Sequence, residues 1–260
     1  MHWVAQYRPD APGDECLDWR NEMTQSALTL IGDLVLENPA AMELFDELRV
    51  DFCCGGHRTL AEACAHANAD LTEVLARLEG LPGSDCLPAD PIKWQDCTLV
   101  DLIAHIEAKH HAFTRSALGR LEPLMEKVLR VHGGNHPELA QIAQRVEALG
   151  GDLIPHLAKE EEILFPLIRQ MESAPEAPRP GAIQAPIRAM LHEHEEVGTM
   201  LKELRDLTAD YSAPSDACGS YRALLKGLHD LEADLHRHIY LENRLLFPRA
   251  IALEGAAGGS

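Results

Sequence analysis

The stretch from His156 to Pro166 reads HLAKEEEILFP, and the stretch from His238 to Pro248 reads HIYLENRLLFP. Both are H-x-x-x-E followed by Leu-Phe-Pro, in one register: Glu160 and Glu242 each follow their histidine by four residues, and Leu164 and Leu246 by eight. On a helix, positions i and i+4 lie on one face about one turn apart, roughly 6 Å. Each copy therefore aims an imidazole and a carboxylate at the same point.

Around the second copy the apolar stripe runs Tyr221, Leu224, Leu228, Leu231, Leu235, His238, Glu242, Leu245. Around the first it runs Leu139, Ile142, Val146, Leu149, Leu153, His156, Glu160, Ile163, Leu167. Both His-Glu pairs thus fall in the seam where a bundle buries its side chains. An ionised carboxylate there costs several kcal/mol unless it is paired or ligates a metal. A single such pair reads equally well as a buried hydrogen bond, whereas two in the same register favour a metal.

With 260 residues, 46% hydrophobic and 25% charged, the composition is that of a globular protein with one large core, or one domain and a small module. No run approaches the roughly 20 apolar residues of a membrane span, and MHWVAQYRPD lacks the pattern of a signal peptide, so a cytoplasmic location is expected. A net charge of −19, from 42 acidic and 23 basic residues, argues against a nucleic-acid partner and favours cations. Seven cysteines at irregular spacing point to reduced thiols rather than a disulfide framework.

Residues 1–24 read as an extension without periodicity. Residues 25–82 read as a module of short helices, with Asn38-Pro39 as cap and first helical residue, Thr59 as a cap, and Asp70 with Glu73 as a capping-box-like start. Within it lies DFCCGG, Asp51 to Gly56. Its two glycines permit a tight turn, and Cys53 and Cys54 form a candidate thiol or soft-metal site, against the reading that one is core and the other incidental. A linker at 83–96 leads to a domain at 97–253 with four long helical segments near 97–131, 136–171, 182–210 and 216–252, and a tail follows at 254–260. The expected fold is all-α, an antiparallel four-helix bundle preceded by a small helical module. Gly150-Gly151 and Pro155 are expected to bend the second helix before its ligand pair.

The first and third helices should supply the remaining ligands. In the third, the stripe Ile187, Leu191, His194, Val197 includes His194 and leaves out His192. In the first, Leu99, Ile103, Ile106 and Phe113 favour His110, whereas Val100, Ala104, Leu118 and Met125 favour His111. His111 precedes His156 by 45 residues and His194 precedes His238 by 44, so the halves are nearly repeats of one helix pair.

Together, this histidine order, the paired HxxxE with LFP, and DFCCGG upstream resemble the iron-sulfur cluster repair di-iron proteins, the repair-of-iron-centres family, over roughly Leu28 to Ala252. The resemblance implies a hemerythrin-like bundle whose ligands are His111, His156, Glu160, His194, His238 and Glu242, with His110 standing where the family commonly has tyrosine. It also implies a pair of iron ions joined by an oxo or hydroxo bridge. Imidazole and carboxylate suit iron, manganese or zinc. Two imidazoles per metal and two shared carboxylates give about four donors each, so a bridging oxygen makes about five and leaves a position open. The implied function is repair of iron-sulfur clusters damaged by nitrosative or oxidative stress, by donating iron or by binding and reducing nitric oxide. Cys53 and Cys54 would pass nitrosyl or iron between partners. The implied partners are damaged iron-sulfur proteins and nitric oxide or dioxygen, with a homodimer left open. The competing reading is a non-catalytic sensor or store of dioxygen, nitric oxide or iron.

Overall fold

The computed structural model describes residues 27–81, 94–173 and 181–257. The extension at 1–24, most of the linker and the segment after Ser173 lie outside these residues. The described residues fall into two compact units, 27–50 with 57–81, and 51–56 with 94–173 and 181–257.

In the first unit, α1 (Ile31–Glu37), α2 (Ala41–Glu47), α3 (Leu60–Ala67) and α4 (Leu71–Glu79) pack around Ile31, Val35, Leu44, Phe45, Leu60, Cys64 and Val74. Each is too short to be stable alone, so caps and the shared core hold them. Thr59 and Glu62 close a reciprocal capping box on α3, and Asp70 accepts from the backbone of Thr72 and Glu73 at the start of α4. At α2 the expected start moves. Asn38 and Pro39 form a lead-in turn in which Asn38 Oδ1 accepts from Ala40 N at 3.1 Å, and the helix begins at Ala41.

In the second unit four helices form the bundle. Helix α5 comprises Leu99–His105, Ile106–His111 and Ala112–His132, and α6 comprises Glu138–Lys159, Glu160–Leu164 and Phe165–Ser173. Helix α7 is Gln184–Leu207, and α8 comprises Gly219–Tyr240, Leu241–Leu246 and Phe247–Ala257. Helix α5 packs along α6 and α8, and α6 packs along α7. The start of α5 is capped from another helix: Glu172 accepts from Leu99 N and Val100 N, each at 2.8 Å.

Gly150, Gly151 and Pro155 do not interrupt α6. Pro155 removes the hydrogen bond to the carbonyl of Gly151, but both residues face solvent, where water can satisfy that carbonyl. The irregularity falls one turn later. Ile106–His111, Glu160–Leu164 and Leu241–Leu246 are π-helical, a wider winding that adds a residue to a turn.

That added residue shifts the buried stripe by one. After Glu160 the expected seam residue Ile163 is 53% exposed, and Leu164, Phe165, Ile168 and Met171 are buried instead. It also accounts for the two phases in α5. The upstream stripe runs into His110 and the downstream stripe out of His111, and both histidines are buried at the π turn between them. Pro166 and Pro248 each follow a π segment by two residues. Proline cannot donate the α-helical bond at that position, so each suits the exit from a widened turn.

The DFCCGG turn, expected inside the small module, divides with the bundle. Gly56 is required there, because a Cβ on it would stand 2.8 Å from the carbonyl oxygen of Phe52.

Candidate metal centre

Helices α5 to α8 bring six side chains into one buried box, none more than 2% exposed: His111, Glu160 and Glu242 from the π segments, His156 and His238 from the α-helical turns just before two of them, and His194 from α7. Oε2 of Glu160 lies 3.4 Å from His111 Nε2 and 3.5 Å from His156 Nε2. Glu242 sets Oε2 at 3.1 Å from His194 Nε2 and Oε1 at 3.1 Å from His238 Nε2. The donors form two clusters, His111–Glu160–His238–Glu242 and His156–Glu160–His194–Glu242, which share both glutamates. Of the sequence candidates in α5, His111 is in the box. His110 instead stacks on His238, with ring centroids 5.7 Å apart and planes 8° apart, and its Nδ1 lies 3.0 Å from Asp234. His192 points outward to Glu196.

The outer nitrogens decide what the inner ones can do. His111 Nδ1 lies 2.7 Å from Glu161, which Arg115 grips at 2.8 and 2.9 Å. His156 Nδ1 lies 2.8 Å from Glu193, which also pairs with Lys159. His194 Nδ1 lies 2.8 Å from Asn243 Oδ1. Each partner atom is an acceptor, so each Nδ1 carries the proton and leaves a bare lone pair on Nε2. Yet His156 Nε2 and His194 Nε2 face each other at 3.3 Å, and His111 Nε2 and His238 Nε2 at 3.2 Å. Among the described residues, neither oxygen of Glu160 nor Oε2 of Glu242 receives a hydrogen bond. Three imidazole lone pairs thus converge with carboxylate oxygens that receive no hydrogen bond, the His238 Nε2–Glu242 Oε1 contact at 3.1 Å being the exception, and cations between these donors remove the repulsion. The residues present fit a metal on this ground.

Without a cation, burial and the nearby charge of Glu242 push Glu160 well above the ordinary carboxylate range. Burial acts the same way on Glu242, but His238 and His194 outweigh it and hold that carboxyl well below the range. Burial lowers His111 and takes His156 down to about 4, which keeps both imidazoles neutral as a ligand requires.

The LFP ends have a packing role. Phe165 lies against the His111 ring, at 5.6 Å and 22°, and Phe247 against the His194 ring, at 5.9 Å and 7°. A cavity of about 190 Å³, lined by Gly151, Pro155, His156, Lys159, Glu193 and Met200 among others, reaches the box at His156.

Sequence reasoning missed Glu161, Glu193 and Asn243. Their signal was adjacency: Glu161 and Asn243 each follow a seam glutamate, and Glu193 precedes His194.

The thiol turn is built from local bonds. Asp51 Oδ1 accepts from Cys54 N at 2.9 Å and from the Cys53 thiol at 3.4 Å, and the two sulfurs are 3.8 Å apart. The hydrogen bond to Cys54 and then burial raise the Cys53 thiol well above its ordinary range. Cys53 O accepts from Asn243 Nδ2 at 3.1 Å, so Asn243 links the turn to His194. The cysteines among the described residues, 53, 54, 64, 97 and 218, are all free.

A bundle with two histidine-carboxylate clusters on facing helices defines the class, and residues 101–250 match the hemerythrin HHE cation binding domain. Residues 28–82 match ScdA_N, a domain of unknown function (DUF542), which therefore includes the thiol turn. Proteins named iron-sulfur cluster repair protein YtfE are similar over most of their length. Those of Pectobacterium carotovorum and Edwardsiella ictaluri are each 38% identical over 221 residues, 85% of this chain and 96% of theirs. That of Yersinia pseudotuberculosis serotype IB is 35% identical over 235 residues, 90% of this chain and 99% of its own. The chain belongs to the YtfE family of hemerythrin-like, ScdA_N-containing proteins.

Proposed function

We propose that the protein repairs iron-sulfur clusters damaged by nitrosative or oxidative stress, using two iron ions held by His111, His156, Glu160, His194, His238 and Glu242. The observation that carries this reading is the pair of donor clusters sharing two carboxylates, three of whose four oxygens receive no hydrogen bond among the described residues. Bound there, the irons would supply redox chemistry, affinity for a diatomic ligand such as nitric oxide, and a store of metal for donation. Around them the chain does the rest. Glu161, Glu193 and Asn243 fix the imidazole orientations, and Phe165 and Phe247 exclude water from two of the rings. The cavity at His156 offers a small ligand a way in, past the Lys159–Glu193 pair.

Cys53 and Cys54 act in transfer, receiving nitrosyl or iron beside the box. Among the described residues no helix is long and apolar enough to cross a membrane, which suits a cytoplasmic client. The test is reactivation of a nitric-oxide-damaged iron-sulfur enzyme at matched iron loading. The parent, with two irons per chain, should reactivate it, and the Cys53→Ser, Cys54→Ser double variant should load iron normally yet fall well below the parent. Failure of the iron-loaded parent to reactivate would leave reversible binding without repair.

A further inference from the structure

We infer that Asp51, Cys53 and Cys54 form a second metal site, a three-donor port for a thiophilic divalent cation, separate from the histidine box. A ligand oxygen of Asp51 and the two sulfurs all lie within 4.8 Å of one another, and Asp51 is exposed while Cys54 is half-buried. The spacing is that of a tetrahedral ion's edges. Metal–sulfur bonds of about 2.3 Å put two sulfurs about 3.8 Å apart, and with a metal–oxygen bond of about 2.1 Å a sulfur and an oxygen stand about 3.6 Å apart. Cys53 and Cys54 place their sulfurs at 3.8 Å, and Cys53 Sγ stands 3.4 Å from Asp51 Oδ1.

Three features hold the donors in that arrangement before a metal arrives. The backbone N–H of Cys54 fixes Asp51 Oδ1, Asn243 fixes the carbonyl of Cys53, and Gly56 closes a turn that a side chain would block. Two sulfurs and one oxygen suit a borderline cation such as zinc or ferrous iron rather than magnesium or calcium. Three protein ligands leave a fourth position for solvent or for a donor from a client, the pattern of an exchange site rather than a closed structural one. Binding would release the two thiol protons to solvent and add two sulfur–metal bonds. The site stands on the geometry of the turn, whether or not the box holds iron.

Cobalt(II) tests it, because the histidine box has no sulfur and cannot produce a sulfur-to-cobalt charge-transfer band. In the full chain carrying Cys218→Ser, cobalt titration should give that near-ultraviolet band, with visible bands of tetrahedral intensity, saturating at one cobalt per chain. Cys53→Ser or Cys54→Ser should abolish it, and Asp51→Asn should weaken cobalt binding about tenfold while keeping the band. Glu160→Ala should leave the band intact even where it empties the box of iron, so failure of the port and failure of the iron reading are told apart in the same samples. Absence of the band at saturating cobalt, or its survival in both cysteine variants, would overturn the site. Unchanged affinity in Asp51→Asn would also overturn the three-donor port.

Discussion

In the α5–α6 half of the bundle the residue after the seam glutamate is Glu161, and in the α7–α8 half it is Asn243; each holds the Nδ1 of the histidine on the preceding helix. The residue before that histidine is His110 in the first half and Glu193 in the second. Glu193 holds His156, whereas His110 stacks on His238 and turns its Nδ1 to Asp234, leaving His238 Nδ1 buried with no hydrogen-bond partner among the described residues. The inner donors are therefore duplicated and their supports are not. Two imidazoles lean on carboxylates, one on an amide and one on none. A carboxylate partner raises the basicity of an imidazole ligand more than a neutral one does, so the four histidines are graded as donors.

The inner symmetry is broken most severely at the shared glutamates. Glu160→Ala or Glu242→Ala should remove most bound iron while far-ultraviolet circular dichroism stays near the parent's, because each carboxylate touches an imidazole of both clusters. Full iron in either variant would make that glutamate a structural seam residue. Next in size is the contrast within α5: His111→Ala should change the iron spectrum strongly and His110→Ala only mildly, and the reverse ranking would place His110 in the box.

The supports come third. Alanine at Glu161 or Glu193 should weaken metal binding by roughly 10–100-fold in chelator competition. Asn243→Ala should fall at the lower end of that range, and equal losses at all three would erase the grading.

A smaller effect appears in the metal-free protein. His156 is lowered from 6.5 to about 4 by burial, so the unfolded chain binds its proton first on acidification. Its contribution is fully present above about pH 6.5 and is lost as the pH falls toward 4, on the order of 3 kcal/mol at most. Glu160, raised by burial, acts with the opposite sign, so the measurement is the difference between parent and His156→Gln in denaturant midpoints from pH 7 to 4. That difference should shrink on acidification, and a constant difference would refute the assignment. The smallest change is a repair of the asymmetry: His110→Gln offers His238 Nδ1 an acceptor and should tighten metal binding a few-fold. No gain would mean that the stacked His110 ring already supports His238 as well as an acceptor would.

The amino-acid sequence by itself determined which residue types converge. Two H-x-x-x-E pairs in apolar stripes, three breaks rich in glycine, proline or serine at 133–137, 173–181 and 212–215, and near-equal spacing of 45 and 44 residues are local facts, and local periodicity is enough to give four helices and a histidine-glutamate seam. Only the tertiary structure decided the phase. A π turn shows in a sequence only as a one-residue slip of the stripe, legible in α5 and not in α6; it forms where winding one extra residue into a helix lets buried donors meet across the bundle, which is why Ile163 points outward, Leu164 inward, and His110 and His111 are both buried. The outer partners were equally out of reach, because Glu161, Glu193 and Asn243 act on histidines 37 to 50 residues away, and the DFCCGG turn joins the bundle through contacts more than 100 residues distant in the chain.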